Sequence, residues 1–329
     1  MFSRSFRSRR SSTVSVYAAL AGDLLLAITK IIAAIWTGSA AMASEAIHSI
    51  VDTGNEILLL YGIHRSRGRP DWTHPLGYGR ELYFWSFIVA LLVFALGAGF
   101  SIFQGVQRLL KPAPIQAPIV NYVVLGLAFL LEGSAWVVSL RQFSAAKGEL
   151  SYFEAFRRSK DPPSFMTLFE DSAALLGIAV AGLGIFGSIA LRRPELDGVA
   201  SILIGLILAG TAALLARETK SLLIGEQAQP ALRRSILDIA DRERHISHAN
   251  GLMTFQLAPE QVVGVISLEF DKRACTSEIE DQIVALEQKV QAAHPQVVML
   301  FVKPQSLETF RRWRKSYFGS SEPHNLDDP

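Results

Sequence analysis

The sequence predicts an α-helical membrane protein: six transmembrane helices followed by a small α-β-β-α-β domain. Three observations carry this expectation. Half of the 329 residues are hydrophobic and 19% are charged, with a mean hydropathy of +0.28, more apolar than a soluble average. Six apolar runs, each near the ~20 residues a helix needs to cross a bilayer, fill the chain up to about residue 215. From about residue 223 those runs stop and shorter helical and alternating patterns replace them.

Residues 1–13 contain Arg4, Arg7, Arg9 and Arg10 and no acid. This reads as a basic cytoplasmic flank; a mitochondrial targeting segment has the same composition. A cleaved secretory signal is not expected, because the apolar span that follows is too long. The spans are placed at about 14–36, 40–63, 82–109, 119–140, 164–191 and 199–215, within a six-helix region covering 14–222. The second connection carries Arg65, Arg67, Arg69 and Arg80, and the fourth carries Arg141, Lys147, Arg157, Arg158 and Lys160. The other connections are short and poorer in cations. This bias places both termini and both longer loops in the cytoplasm of a multi-pass cell (inner) membrane protein, with a mitochondrial membrane as the alternative.

The second span holds the most informative stretch, residues 44–56. His48, Asp52 and Asn55 recur at i, i+4 and i+7, so they project from one helical face. A carboxylate at the bilayer centre costs roughly 2.5–3.5 kcal/mol and must find a cation, a proton or water. Imidazole and carboxylate one turn apart make half of a divalent-metal site. The plainer alternative is a polar face that only holds helices together. The fifth span opens after Asp161-Pro162-Pro163, a helix-start signal, and carries Glu170 and Asp171 a turn or two inside. Asp23, Lys30 and Glu132 are further ionisable groups within spans. Lys30 is expected to pair with Glu132 or Glu170. Gly97, Gly99, Gly177, Gly182, Gly184, Gly205 and Gly210 allow close helix approach.

The C-terminal region, 223–305, reads as a helix at 229–241, strands at 251–257 and 262–270, a helix to about 293 capped by Thr276 or Ser277, and a strand at 297–302. Ile279, Ile283, Leu286 and Val290 fall at core spacing on the second helix. A domain of this size gains stability by dimerising. His245, His248 and His294 are either surface residues or metal ligands. The segment 306–329 reads as a polar, mobile tail rich in arginine. A single cysteine, Cys275, excludes an internal disulfide framework and any Cys-x-x-Cys site. The net charge of +2 gives no nucleic-acid signature.

Between the second and third spans, residues 71–81 contain His74-Pro75-Leu76-Gly77-Tyr78-Gly79-Arg80. This is similar to the His-Pro-Phe-Gly-Tyr-Gly-Arg signature of the cation diffusion facilitator family. Together with the six spans, His48-x-x-x-Asp52, the acids of the fifth span and the α-β-β-α-β domain, it makes residues 14–304 resemble that family, and within it the branch containing zinc transporter 9. The resemblance implies a ferredoxin-like, metallochaperone-like C-terminal domain and a homodimer joined through it. It implies an antiporter, not an enzyme, that exports a divalent cation from the cytoplasm against protons. Zinc is the expected cargo, with manganese, iron and cobalt as alternatives. The family commonly places two ligands on the second span and two on the fifth. His48, Asp52 and Asp171 match three of them. Thr167 stands where the fourth is expected, so Glu170 is the expected substitute and Asn55 another candidate; the alternative is that Thr167 itself serves, directly or through water. Tyr78 replaces the histidine with which some relatives build a second zinc site, so none is expected there. Arg80 is expected to pair with Glu218 or Glu226. The competing readings are a metal-sensing or scaffold protein that does not transport, and a membrane-embedded metal-dependent hydrolase. Against the latter, no His-Glu-x-x-His pattern accompanies His48 and Asp52.

Overall fold

The computed structural model describes residues 4–148 and 150–318. It forms two compact units, one made of residues up to 69 with 81–220, the other of 70–80 with 221 onward.

The first unit is a helical bundle. Helix α1 runs Arg4–Thr37 and α2 runs Ala40–Ser66. Next come α3 (Glu81–Leu92), a π-helical segment (Val93–Ala98) and α4 (Gly99–Leu110), which together form one apolar rod. Helices α5 (Pro118–Lys147), α6 (Tyr152–Arg158), α7 (Pro162–Ala190) and α8 (Glu195–Ile224) complete the set. Among the described residues, five segments are long and apolar enough to cross a membrane: Leu20–Thr37, Glu81–Leu110, Pro118–Ala145, Pro162–Ala190 and Glu195–Ile224. The sixth expected span, α2, has 27 residues, about 40 Å of helix at 1.5 Å per residue. Its length suffices, but Glu45, His48, Asp52 and Glu56 dilute its hydropathy.

Three local features add to the sequence reading. Helix α1 begins at Arg4 and so includes most of the basic flank 1–13; residues 1–3 lie outside the described residues. The fourth connection contains α6, capped by Ser151, whose hydroxyl accepts from Glu154 N at 3.3 Å. Helix α6 buries Phe156 beside Phe165 and Phe169 of α7. Of the small residues, Gly182 and Gly210 face open space, whereas Gly105 and Gly198, absent from the expected set, bring α4 and α8 into backbone contact. A Cβ on Gly105 would sit 2.6 Å from Gly198 O, and one on Gly205 would sit 3.0 Å from Ala98 O. Van der Waals packing of close backbones is the main attraction available between helices in lipid.

The second unit has the expected α-β-β-α-β order: α9 (Pro230–Asp241), β1 (Ile246–Ala258), β2 (Gln261–Phe270), α10 (Thr276–Ala293) and β3 (Val297–Pro304). Strand β2 is central, antiparallel to β1 and parallel to β3. Leu232 and Ile236 of α9 and Leu286 and Val290 of α10 form one core with Leu252, Ile266, Leu268 and Leu300 of the sheet. Ile279 and Ile283 are only half-buried. The N-cap of α10 is Cys275, not Thr276 or Ser277. Glu278 reaches back to accept from Cys275 N at 2.8 Å, and that bond holds its carboxyl below the ordinary range. The polar tail is partly a helix, α11 (Leu307–Phe318). Phe310 of α11 seats on Gly251, where a Cβ would come within 2.6 Å of the ring, and Lys303 lies 5.5 Å from the centre of the Trp313 ring. An aromatic face, which hydropathy averaging hides among the arginines, therefore gives this segment a docking surface on the sheet. Residues 319–329 lie outside the described residues.

Candidate metal site in the membrane bundle

Helix α2 presents His48, Asp52 and Asn55 on one face. His48 and Asn55 are fully buried, and the Asp52 side chain is 29% exposed. His48 Nδ1 lies 3.3 Å from Asp52 Oδ1. The approach is close enough for an ion pair, yet neither atom makes a hydrogen bond. Both ring nitrogens of His48, Asp52 Oδ1 and Asn55 Oδ1 are buried without a hydrogen-bond partner. Buried polar atoms left open in this way are costly, and here four of them sit within two helical turns.

Helix α7 brings Glu170 to this face. Asn55 Nδ2 donates to Glu170 Oε1 at 3.0 Å, joining α2 to α7. Glu170 is 9% exposed. Asp171, one residue on and about 100° around the helix, turns toward α5, where Ser139 Oγ donates to Asp171 Oδ2 at 2.8 Å. Next to it, Trp136 Nε1 donates to Ser172 Oγ at 2.9 Å. Thr167 is exposed, and its hydroxyl donates to Pro163 O at 3.0 Å. The structure thus groups His48, Asp52, Asn55 and Glu170, holds Asp171 against α5, and ties Thr167 to its own helix. Among the described residues, no three His, Cys, Asp or Glu side chains already converge on one point.

Two polar clusters flank these residues. Lys30 pairs with Glu132, as one of the two expectations has it, but not with Glu170; its second carboxylate is Glu45. At the start of α2, Asp197 of α8 accepts from Ser39 Oγ at 2.5 Å, Ala40 N at 2.6 Å and Ala41 N at 3.3 Å. Arg108 Nε of α4 lies 3.2 Å from Asp197 Oδ2, the oxygen that also accepts from Ala40 N. A carboxylate at a helix N-terminus satisfies orphan N–H groups and favours the dipole. Glu45, Ser139, Asp197 and Arg108 were not singled out from the sequence. The signal for Asp197 was available, as an acid in the first turn of an apolar helix.

In the second unit, Asp71 organises the loop 70–80. Its carboxylate accepts from Tyr78 Oη at 2.6 Å, His74 N at 2.6 Å and Thr73 N at 2.9 Å, and these bonds, Tyr78 foremost, hold its carboxyl below the ordinary value. Gly79 packs where a Cβ would meet Leu257 O at 3.1 Å, and Arg80 Nη2 lies 3.4 Å from the Cβ position of Gly225. The C-terminal histidines stay apart: His294 Nε2 lies 2.8 Å from Ser235 Oγ and His248 Nδ1 lies 4.0 Å from Asp241.

A bundle of membrane-spanning helices with imidazole and carboxylates facing its interior, followed by a small α/β unit, defines a polytopic membrane protein built around internal ionisable groups. The chain belongs to the cation efflux family: residues 16–224 match the model described as the cation efflux transmembrane domain. It is 32% identical over 289 residues to the protein of Homo sapiens named proton-coupled zinc antiporter SLC30A9, mitochondrial, covering 85% of this chain and 49% of that protein. It is 35% identical over 193 residues to metal tolerance protein C4 of Arabidopsis thaliana, covering 58% of this chain and 42% of that one. It is 24% identical over 254 residues to the cation-efflux pump FieF of Escherichia coli, covering 75% and 78%. The chain spans about half the length of the human relative.

Proposed function

We propose that this protein is a secondary transporter that exchanges a divalent cation, zinc, for protons across a membrane, exporting metal from the cytoplasm by alternating access. The observation that carries the reading is the set of open lone pairs on His48 and Asp52, buried on α2 opposite Glu170. Imidazole nitrogen and carboxylate oxygen bind a metal only when deprotonated. Metal and protons therefore compete for His48, Asp52 and Asp171, and a site that faces the two sides in turn couples their movements. Glu170 is the fourth ligand in this reading, since a carboxylate neutralises zinc where the Thr167 hydroxyl does not. Asn55 holds Glu170 in place until metal arrives.

The names of the relatives support the same reading, one as a proton-coupled zinc antiporter and one as a cation-efflux pump. The C-terminal unit serves as the dimerisation domain of a homodimer. The protein resides in a cell inner membrane or a mitochondrial membrane, with both termini on the side from which metal is taken.

Reconstitution into liposomes loaded with a metal-sensitive dye and a pH dye tests the proposal. Wild-type protein should admit zinc and move protons the opposite way, and Asp52→Ala should abolish both while eluting as folded protein. A competition series of zinc, manganese, iron and cobalt in the same vesicles ranks the cargo. Zinc binding without flux in the wild type would establish the sensor or scaffold alternative instead.

A further inference from the structure

Lys30 lies in α1, fully buried. Its ammonium has three N–H groups, and the structure supplies three acceptors. They are Ser49 Oγ at 2.8 Å and Glu45 Oε2 at 3.2 Å, both on α2, and Glu132 Oε1 at 2.7 Å, on α5. Each carboxylate keeps its second oxygen open: Glu45 Oε1 and Glu132 Oε2 are buried without a hydrogen-bond partner. Glu45 is also fixed from a third side. A Cβ on Gly177 of α7 would collide with Glu45 Oε1, so the glycine provides the notch in which that oxygen rests.

The group is therefore a cage of two carboxylates and one hydroxyl around a single positive charge. Oxygen-only donors of this kind suit a hard divalent ion. One ammonium neutralises one of the two carboxylates, whereas a divalent ion would neutralise both. We propose that Glu45, Ser49 and Glu132 form a cation-binding station that the chain fills with its own Lys30 ammonium, and that this occupancy keeps a second divalent ion out of the bundle. The station uses none of the residues assigned to the cargo, so it goes beyond the antiport reading and does not depend on it. The competing view is a buried ion pair that only locks α1, α2 and α5 together. The two views part when Lys30 is removed: a lock simply fails, whereas a station accepts a replacement cation.

Purified full-length protein is dialysed to equilibrium against Mn2+, and bound ion per protomer is counted for wild type, Lys30→Ala and the triple variant Lys30→Ala, Glu45→Gln, Glu132→Gln. Lys30→Ala is expected to hold one more Mn2+ per protomer than wild type, and the triple variant to return to the wild-type count. Millimolar methylammonium should displace the additional ion from Lys30→Ala and leave the wild-type count unchanged. Equal counts for wild type and folded Lys30→Ala overturn the proposal. So does an additional ion that persists in the triple variant, because it then sits elsewhere. Should Lys30→Ala aggregate when prepared without metal, Mn2+ or methylammonium present during extraction must restore a monodisperse peak. Failure of both to do so also overturns it. Wild-type vesicles that move no zinc would count against the antiport reading and leave this difference in counts untouched.

Discussion

Asp197→Ala should unfold the bundle far more readily than the size of the side chain suggests. Asp197 is fully buried and Arg108 is 11% exposed. The carboxylate serves a hydroxyl, two backbone N–H groups and a guanidinium at once. Its removal strands the Arg108 charge and uncaps α2. Breaking a buried pair from one side costs about 3–5 kcal/mol, roughly a hundred- to several-thousandfold in the unfolding equilibrium. Asp197→Asn keeps one acceptor oxygen and leaves the donors of the other unserved, without the cavity that Ala opens, so a smaller cost of about 2 kcal/mol is expected. Unfolding by SDS in mixed micelles, followed by tryptophan fluorescence, measures both. On the proposed antiport reading the Ala variant should also bind zinc more weakly, although residue 197 is not among the proposed ligands, because the N-terminus of the helix that carries His48 and Asp52 loses its anchor. A cost below about 1 kcal/mol for Asp197→Ala, or equal costs for Ala and Asn, would refute the reasoning, since salt-bridged burial at this site requires both the size and the order.

Gly105→Ala puts a Cβ 2.6 Å from the Gly198 carbonyl; backbone cannot rotate away, so α4 and α8 must separate, at about 1–3 kcal/mol, measured in the same micelle assay against a neutral Gly182→Ala control. Zinc affinity should fall ~10-fold or more in Glu170→Gln, the scale on which even outer partners of a metal matter, and change little in Thr167→Ala; calorimetry giving the reverse order would assign the ligand to Thr167. Asp71 titrates below its ordinary value of 3.8 in the folded loop, so its contribution to loop order is present above that value and is lost as pH falls through the lowered folded value. Tyr78→Phe removes the leading cause, and the carboxyl resonance of Asp71 should then titrate at higher pH, an unchanged midpoint discounting the bond. Residues 223–304 should fold alone and dimerise, visible as concentration-dependent sedimentation, and a stable monomer at high micromolar concentration would speak against the dimer.

Periodicity in the sequence determines which residues share a face. It places His48, Asp52 and Asn55 together on α2, and it marks out the α-β-β-α-β unit, because a helix or strand writes its own repeat into a short window. The relation of Glu170 to Asp171 is legible in the same way. A repeat does not record which neighbouring face a residue meets. Lys30 and Glu132 are 102 residues apart, and Asp197 lies 157 residues from the Ala40 N–H it accepts from. Local pattern therefore leaves Lys30 with several carboxylates to choose from, and only the packing of α1 against α2 and α5 selects Glu45 and Glu132. The same holds for the glycines. Gly105 and Gly182 look alike in sequence, yet one meets a facing backbone and the other meets open space. Composition obscures α11, whose arginines outweigh its rings until Gly251 opens a seat for Phe310. The sequence by itself determined the membrane bundle and the polar faces of α2 and α7. Tertiary structure decided the partners of the buried charges, because a charge in a low-dielectric interior is satisfied by whichever opposite group the helix packing brings within reach.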